Sequence, residues 1–177
     1  MVPVEEMMLC IIPARGGSKR IPRKNIKIFK GKPIIEYPLE VAKKSGLFEK
    51  IIISTDDPEI AEKYKDYVPF MRSAENANDT AGVAEVALEV LGRLSSQGEY
   101  YYHFCMLFPT AVFVKEHDLI VGCGLMTNGG YDSVFSVSRY THPIERAMRI
   151  DGLSMAMVSP ENYTKRTQDL PVSYYDA

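Results

Sequence analysis

One stretch of the chain has the composition of a phosphate-holding loop. Directly after the apolar run Met8-Leu9-Cys10-Ile11-Ile12 come Pro13-Ala14-Arg15-Gly16-Gly17-Ser18-Lys19-Arg20-Ile21-Pro22-Arg23-Lys24-Asn25. From Arg15 to Lys32 there are eight Lys or Arg and no Asp or Glu, so whatever collects here is an anion. Adjacent glycines let the backbone approach a ligand closely and aim successive N–H groups at it. Arginine adds a planar fork for phosphate oxygens, and lysine adds a compact mobile charge. Two or three phosphates in a row would use all of these. The run is neither GxxxxGK[ST] nor GxGxxG, so the Walker loop and the dinucleotide fingerprint do not apply. Taken by itself it also admits a solvated basic surface or a nucleic-acid-binding tail. Two glycines and a proline at a strand exit, and no stacking aromatic among residues 13–28, disfavour that second reading.

The elements around the loop must place it at one edge of a sheet. Short apolar runs alternate with helical periodicity, which predicts an α/β domain with a mainly parallel sheet and helices on both faces. The first strand is Met8 to Ile12, apolar throughout and therefore buried on both faces. Further strands are predicted at Ile51-Ile52-Ile53-Ser54, over residues 67–71 and 101–108, and at Ser133-Val134-Phe135-Ser136-Val137 after the turn signal Asn128-Gly129-Gly130. One helix is predicted to start at Pro33, with Ile34, Ile35, Leu39 and Ala42 on one face and Ser45-Gly46 as its stop. Asp57-Pro58-Glu59 reads as an N-cap, a first-position proline and an acidic first turn. The helix after Asp79 carries Val83, Val86, Ala87, Val90, Leu91 and Leu94 on one stripe, which reads as plain core. In open α/β sheets ligands gather outside the carboxyl ends of the strands, which is where residues 13–25 emerge.

After Arg139 the rhythm breaks. Residues 140–177 hold Pro143, Pro160 and Pro171 and a methionine group, Met148, Met155 and Met157, with no long periodic run. The chain is therefore divided into a body at 1–139 and an arm or oligomer contact at 140–177, within one domain.

Composition narrows the classes. The length of 177 residues suits one domain, large enough to bury a core without staples. A net charge of −2 points to neither nucleic acid nor an anionic membrane. No apolar run reaches the ~20 residues of a membrane span. The start of the chain carries Glu5 and Glu6 where a signal peptide would be basic. Cys10, Cys105 and Cys123 lack CxxC spacing and read as small buried hydrophobes of a reducing compartment, which makes the cytoplasm the expected location. His103, His117 and His142 have no ligand spacing, and no Ser-His-Asp or Cys-His set is apparent.

The run Ile12-Pro13-Ala14-Arg15-Gly16-Gly17-Ser18-Lys19, with Ile21-Pro22-Arg23-Lys24-Asn25 behind it, resembles the signature of the acylneuraminate cytidylyltransferases. Further matches keep that family's order: Ser45-Gly46-Leu47-Phe48, Ile52-Ile53-Ser54-Thr55-Asp56-Asp57, Arg72, Asn78-Asp79-Thr80-Ala81 and Pro109-Thr110-Ala111. Arg166-Thr167-Gln168-Asp169-Leu170-Pro171, Tyr174 and Pro143-Ile144-Glu145-Arg146-Ala147 look most like the pseudaminic acid branch. Departures bear on the acceptor: Val83 and Phe108 replace polar residues of sialic acid members, Val112 a proline, and Tyr175 a histidine.

The resemblance implies a three-layer, Rossmann-like nucleotidyltransferase fold with a dimerisation arm. It implies transfer of CMP from CTP to a nonulosonic acid with release of pyrophosphate, pseudaminic acid favoured over sialic or legionaminic acid, and magnesium (Mg2+) as cofactor. Arg15 and Lys19 would grip the triphosphate, with Lys24 near the reacting phosphate. Ala14, Gly16, Gly17, Ser18, Asn25 and Arg72 would hold the nucleotide. Arg166 and Gln168 would reach the acid sugar in a neighbouring protomer of a homodimer. Asn25 capping a turn and Arg72 pairing with Glu75 remain structural alternatives. The metal ligands are unknown from these residues, because the family's magnesium-binding aspartates come later than Ala177, and the chain is expected to be a fragment. A nucleotide-binding module without turnover is the alternative from another class; neither nucleic acid nor membrane is an expected partner.

Overall fold

A strand with no polar residue from Met8 to Ile12 has to lie inside a sheet, and it does. The computed structural model describes residues 8–18, 21–78 and 82–176. Along the chain, β1 (Met8–Pro13) leads into a hairpin of β2 (Ile28–Phe29) and β3 (Lys32–Pro33). Then come α1 (Glu36–Ser45), β4 (Phe48–Ser54), α2 (Pro58–Lys63), α3 (Val83–Ser96), β5 (Phe104–Met106) and α4 (Glu116–Gly129). β6 (Val137–Arg139), the pair β7 (Met148–Asp151) and β8 (Ser154–Met157), and β9 (Tyr174–Asp176) complete the order.

β1 is the central strand of a parallel sheet in the order β4-β1-β5. Its side chains alternate between two cores. Cys10 and Ile12 pack with Ile35, with Leu39 and Ala42 of α1, and with Leu119 of α4. Leu9 and Ile11 pack on the opposite face with Ile52 and with Ala87, Val90 and Leu94 of α3. Helix, sheet and helix make three layers, as the sequence pattern predicts. Full burial of side chains such as Leu94, Ile11 and Ile52 contributes roughly 1.5–3 kcal/mol each.

Several boundaries differ from expectation for physical reasons. Residues 67–71 form no strand: a 3-10 turn at Lys65–Tyr67 is followed by irregular backbone. Pro69 has no N–H to give a ladder, and the segment instead brings Arg72 N–H to Thr55 O at 2.7 Å. The strand predicted over 101–108 shortens to Phe104–Met106, with Leu107 N–H adding one bond to Ile11 O at 2.9 Å. Pro33 does not open α1. It pairs with Ile28 across a hairpin whose turn, Lys30-Gly31, has φ of 44° and 96°. α4 is an element the sequence pattern conceals. Gly122 and Gly124 lie in its middle, each worth about 1 kcal/mol against helix, yet Leu119, Cys123 and Met126 hold one face against Met8 and Leu47. The strand expected at 133–137 is replaced by β6 (Val137–Arg139), which shares only Val137 with it.

The chain forms two compact units, Met1–Gly130 and Tyr131–Ala177. The division precedes the change of rhythm at Arg139 because β6 pairs with β9, Val137 opposite Asp176 and Arg139 opposite Tyr174, which puts residues 137–139 in the later unit. Within that unit β7 and β8 pair antiparallel, and Leu170 is its buried apolar side chain among the described residues.

Candidate active site

The loop after β1 is tied down at several points before it reaches α1. Ala14 is fully buried and its N–H donates to Ser54 O at 2.8 Å, extending the β1–β4 pairing by one residue. Gly16 N–H donates to Asp56 Oδ1 at 2.9 Å. Asn25, buried, donates Nδ2–H to Arg15 O at 2.8 Å, so residue 25 closes the loop onto residue 15. Arg23 forms ion pairs with Asp57 and Glu59. Ser18 N–H turns back to Gly16 O at 3.0 Å. Gly16 needs to be glycine, because a side chain there would run into the Asp57 carboxylate.

These ties leave an open cleft of about 520 Å3 at the carboxyl ends of β1 and β4, lined by Arg15, Gly16, Gly17, Ser18, Pro22, Arg23, Ala77 and Asn78. Arg15 Nη1 donates to Asn78 O at 3.1 Å, holding the guanidinium across the cleft wall. The segment leading into Ala77 and Asn78 is held by Glu89 of α3, which accepts from Ser73 N–H at 2.7 Å, Ser73 Oγ–H at 2.9 Å and Asn76 Nδ2–H at 2.7 Å. Burial works against the Glu89 charge, but the donations from Asn76 and Ser73, with Arg93 beside it, hold its carboxyl below the ordinary value.

A depressed carboxyl contributes stability that is complete above the ordinary Glu pKa and is lost as pH falls through the folded-state value. Glu89→Gln should therefore lower stability at neutral pH by about 1–3 kcal/mol, the worth of charge-assisted hydrogen bonds. The gap from wild type should narrow as pH drops below the usual carboxylate range. Denaturant titrations at neutral and acid pH decide it; a gap independent of pH would deny the charge its part.

The other expected residues are placed as follows. Lys24, half-buried, sits in a 3-10 turn with Asn25, beside the cleft lining. Arg72 is buried; its Nε donates to Ser54 Oγ at 3.0 Å and an Nη to Ser54 O at 2.5 Å. Burial lowers the Arg72 pKa, opposed by the neighbouring Asp56 and Glu89. Lys19 lies outside the described residues. Arg166 and Gln168 belong to the later unit, where Arg166, exposed, pairs with Asp169 at 3.1 Å and Gln168 stands exposed in the turn Thr167–Asp169. Arg23 and Glu89 received no site role from the sequence. The adjacent pair Asp56-Asp57 at a strand end was the available signal.

The carboxylates beside the cleft are already engaged and supply no ready set of magnesium ligands among the described residues. Among the described residues no three His, Cys, Asp or Glu side chains gather to hold a metal ion. Asp56 is engaged by Gly16 N–H, and Asp57 by Arg23 and the N–H groups of Glu59 and Ile60. The cleft offers guanidinium charge and closely approachable backbone. That suits chemistry performed by positioning and charge neutralisation, as in phosphoryl transfer.

A family model described as cytidylyltransferase matches residues 9–167. The chain is 39% identical, over 96% of its length and 75% of the relative's, to a pseudaminic acid cytidylyltransferase of Campylobacter jejuni. It is 32% identical over 95% of its length to an N-acylneuraminate cytidylyltransferase of Escherichia coli, covering 40% of that protein. A CMP-N,N'-diacetyllegionaminic acid synthase of Legionella pneumophila is 36% identical over 63% of this chain and 50% of its own. Among solved structures, CMP:2-keto-3-deoxy-manno-octonic acid synthetase complexed with CTP superposes with a TM-score of 0.63 at 18% identity, over 96% of this chain and 74% of that one. At that identity the likeness speaks for the fold.

Proposed function

The chain belongs to the cytidylyltransferase family, and we propose that it transfers CMP from CTP to a nonulosonic acid, with pseudaminic acid as the favoured acceptor. The observation that carries this reading is the Arg15–Ser18 loop lining a cleft at the carboxyl ends of β1 and β4. The similarity to the Campylobacter jejuni protein supports the choice of acceptor. The anomeric hydroxyl of the sugar attacks the α-phosphorus of CTP. A new P–O bond forms as the bond to the β-phosphate bridge breaks, the hydroxyl proton passes to solvent, and pyrophosphate leaves.

Arg15 and Lys19 neutralise the triphosphate, Lys24 stands by the reacting phosphate, and the backbone at Ala14, Gly16, Gly17 and Ser18 admits close approach. Asn25 and Arg72 act by holding the loop and the end of β4, through Arg15 O and Ser54. Arg166 and Gln168 contact the acid sugar of a partner protomer in a homodimer. Magnesium accompanies the nucleotide. The compartment is the cytoplasm, where CTP is made and Cys10, Cys105 and Cys123 stay as free thiols; no helix among the described residues is long and apolar enough to cross a membrane.

The test is pyrophosphate release with CTP, UTP or ATP against pseudaminic, legionaminic and N-acetylneuraminic acids, with magnesium and with chelator. The expected result is greatest kcat/KM for CTP with pseudaminic acid, abolished by the chelator. Faster turnover with another acid sugar would move the acceptor. Tight CTP binding with no pyrophosphate from any acceptor would make the protein a binding module instead.

A further inference from the structure

Two consecutive carboxylates at the end of β4 hold both ends of the basic loop. Asp56 takes the front end, accepting Gly16 N–H at 2.9 Å. Asp57 takes the back end through Arg23, whose second guanidinium nitrogen reaches Glu59. The same Asp57 caps α2, its Oδ1 accepting Glu59 N–H at 2.9 Å and Ile60 N–H at 3.2 Å, and its carboxylate occupies the space beside the Cα of Gly16. Its side chain is 6% exposed against 43% for Arg23, so the pair is anchored on the acid and open on the base. Arg23 has φ of 54°, a left-handed conformation that a residue with a side chain holds only when its surroundings impose it. Its side chain lines the cleft.

We propose that Asp57 is a positioning residue for triphosphate binding, acting through Arg23 and Gly16. It sets the span of the loop before nucleotide arrives, so the backbone amides and Arg15 are already arranged and less ordering is needed on binding. Arg23 in turn neutralises a buried carboxylate that would otherwise repel the incoming phosphates. This rests on the cleft being the CTP site. The two roles predict an asymmetry. Arg23→Ala leaves Asp57 unpaired beside the phosphates, whereas Asp57→Asn removes the charge and keeps an acceptor of the same size for the α2 cap.

The experiment combines calorimetric titration of CTP with hydrogen–deuterium exchange of the ligand-free protein. The variants are Asp57→Asn, Arg23→Ala, the two together, and Arg15→Ala. Loss of a charge-assisted tie should weaken CTP binding about tenfold in Asp57→Asn. Exchange over residues 14–25 should quicken in that variant while residues 58–63 stay as in wild type. Arg23→Ala should bind CTP more weakly than Asp57→Asn, and adding Asp57→Asn to it should restore part of the loss. Unchanged loop exchange in both single variants, or losses that simply add in the double variant, would overturn the proposal. If Asp57→Asn also loosens residues 58–63, Arg23→Ala alone decides through loop exchange, because that change leaves the cap untouched. Wild-type protein that does not bind CTP, or binding indifferent to Arg15→Ala, would defeat the nucleotide reading, while the exchange arm still judges the tie.

Discussion

Arg15→Ala is expected to lower kcat/KM for CTP by ~10²–10³, the usual worth of a group aimed at charge that develops in the transition state. Arg15 follows the buried Ala14 at the exit of β1, and its guanidinium is held to Asn78 O across the cleft. Both anchors fix its position in the free protein, so it need not reorganise when negative charge builds on the leaving pyrophosphate. Lys30→Ala is the control. Lys30 is equally cationic and equally part of the basic run, but it sits exposed at the β2–β3 turn, outside the cleft lining. It should change kcat/KM by less than about threefold, as expected of a screened surface charge. Lys19→Ala carries the same expectation as Arg15→Ala from its place after Gly-Gly-Ser. Initial rates of pyrophosphate release, with thermal unfolding beside them, are the measurement. Equal losses for Arg15→Ala and Lys30→Ala would reduce the run to a generic positive patch.

How far such a site can be read without coordinates depends on which interactions are local. The strand Met8–Pro13 and the α2 cap at Asp57 were legible because each is written in adjacent residues: an unbroken apolar run, and Asp-Pro-Glu. The stripe Val86, Ala87, Val90 and Leu94 was legible because its period is that of a helix, although Val83, at the first helical position, is exposed. α4 was not, since two glycines masked a face that tertiary contact with Met8 and Leu47 supplies. The loop's basic and glycine content announced an anion, and the resemblance supplied roles. What neither could supply were the ties that shape it. Arg23 to Asp57 spans 34 positions and Gly16 to Asp56 spans 40, and pairings of that separation leave no periodic trace. Arg72 shows the same limit. Its nearest acidic neighbour in sequence is Glu75, but folding brings Ser54 to it across 18 positions.

The later unit yields the second large effect, on assembly. In the β7–β8 pair Met148 lies opposite Met157 and Ile150 opposite Met155, so all four side chains share one face. Arg149, Asp151, Ser154 and Ala156 occupy the other. Ile150 is 73% exposed and Met155 66%, and Leu153 stands fully exposed at the turn. A two-stranded hairpin is marginal in water without something covering its apolar face, and contiguous exposed apolar surface marks an interaction site. A second copy offers the same face, as a twofold interface requires. Light scattering of the wild-type protein at tens of micromolar should therefore give twice the chain mass of 19.9 kDa. Ile150→Asp places a charge at the centre of that face. Each buried Ile or Met contributes ~1.5–3 kcal/mol, and a charge facing its own symmetry copy adds repulsion, so dissociation should strengthen by more than ~100-fold and give the monomer. CTP binding should survive, because the Arg15–Asn25 loop lies in the earlier unit. Turnover of the acid sugar should fall with the dimer, since Arg166 and Gln168 are proposed to serve the partner's site. A wild-type monomer, or an Ile150→Asp variant that keeps both its dimer and its acid-sugar kinetics, would remove this face from the assembly.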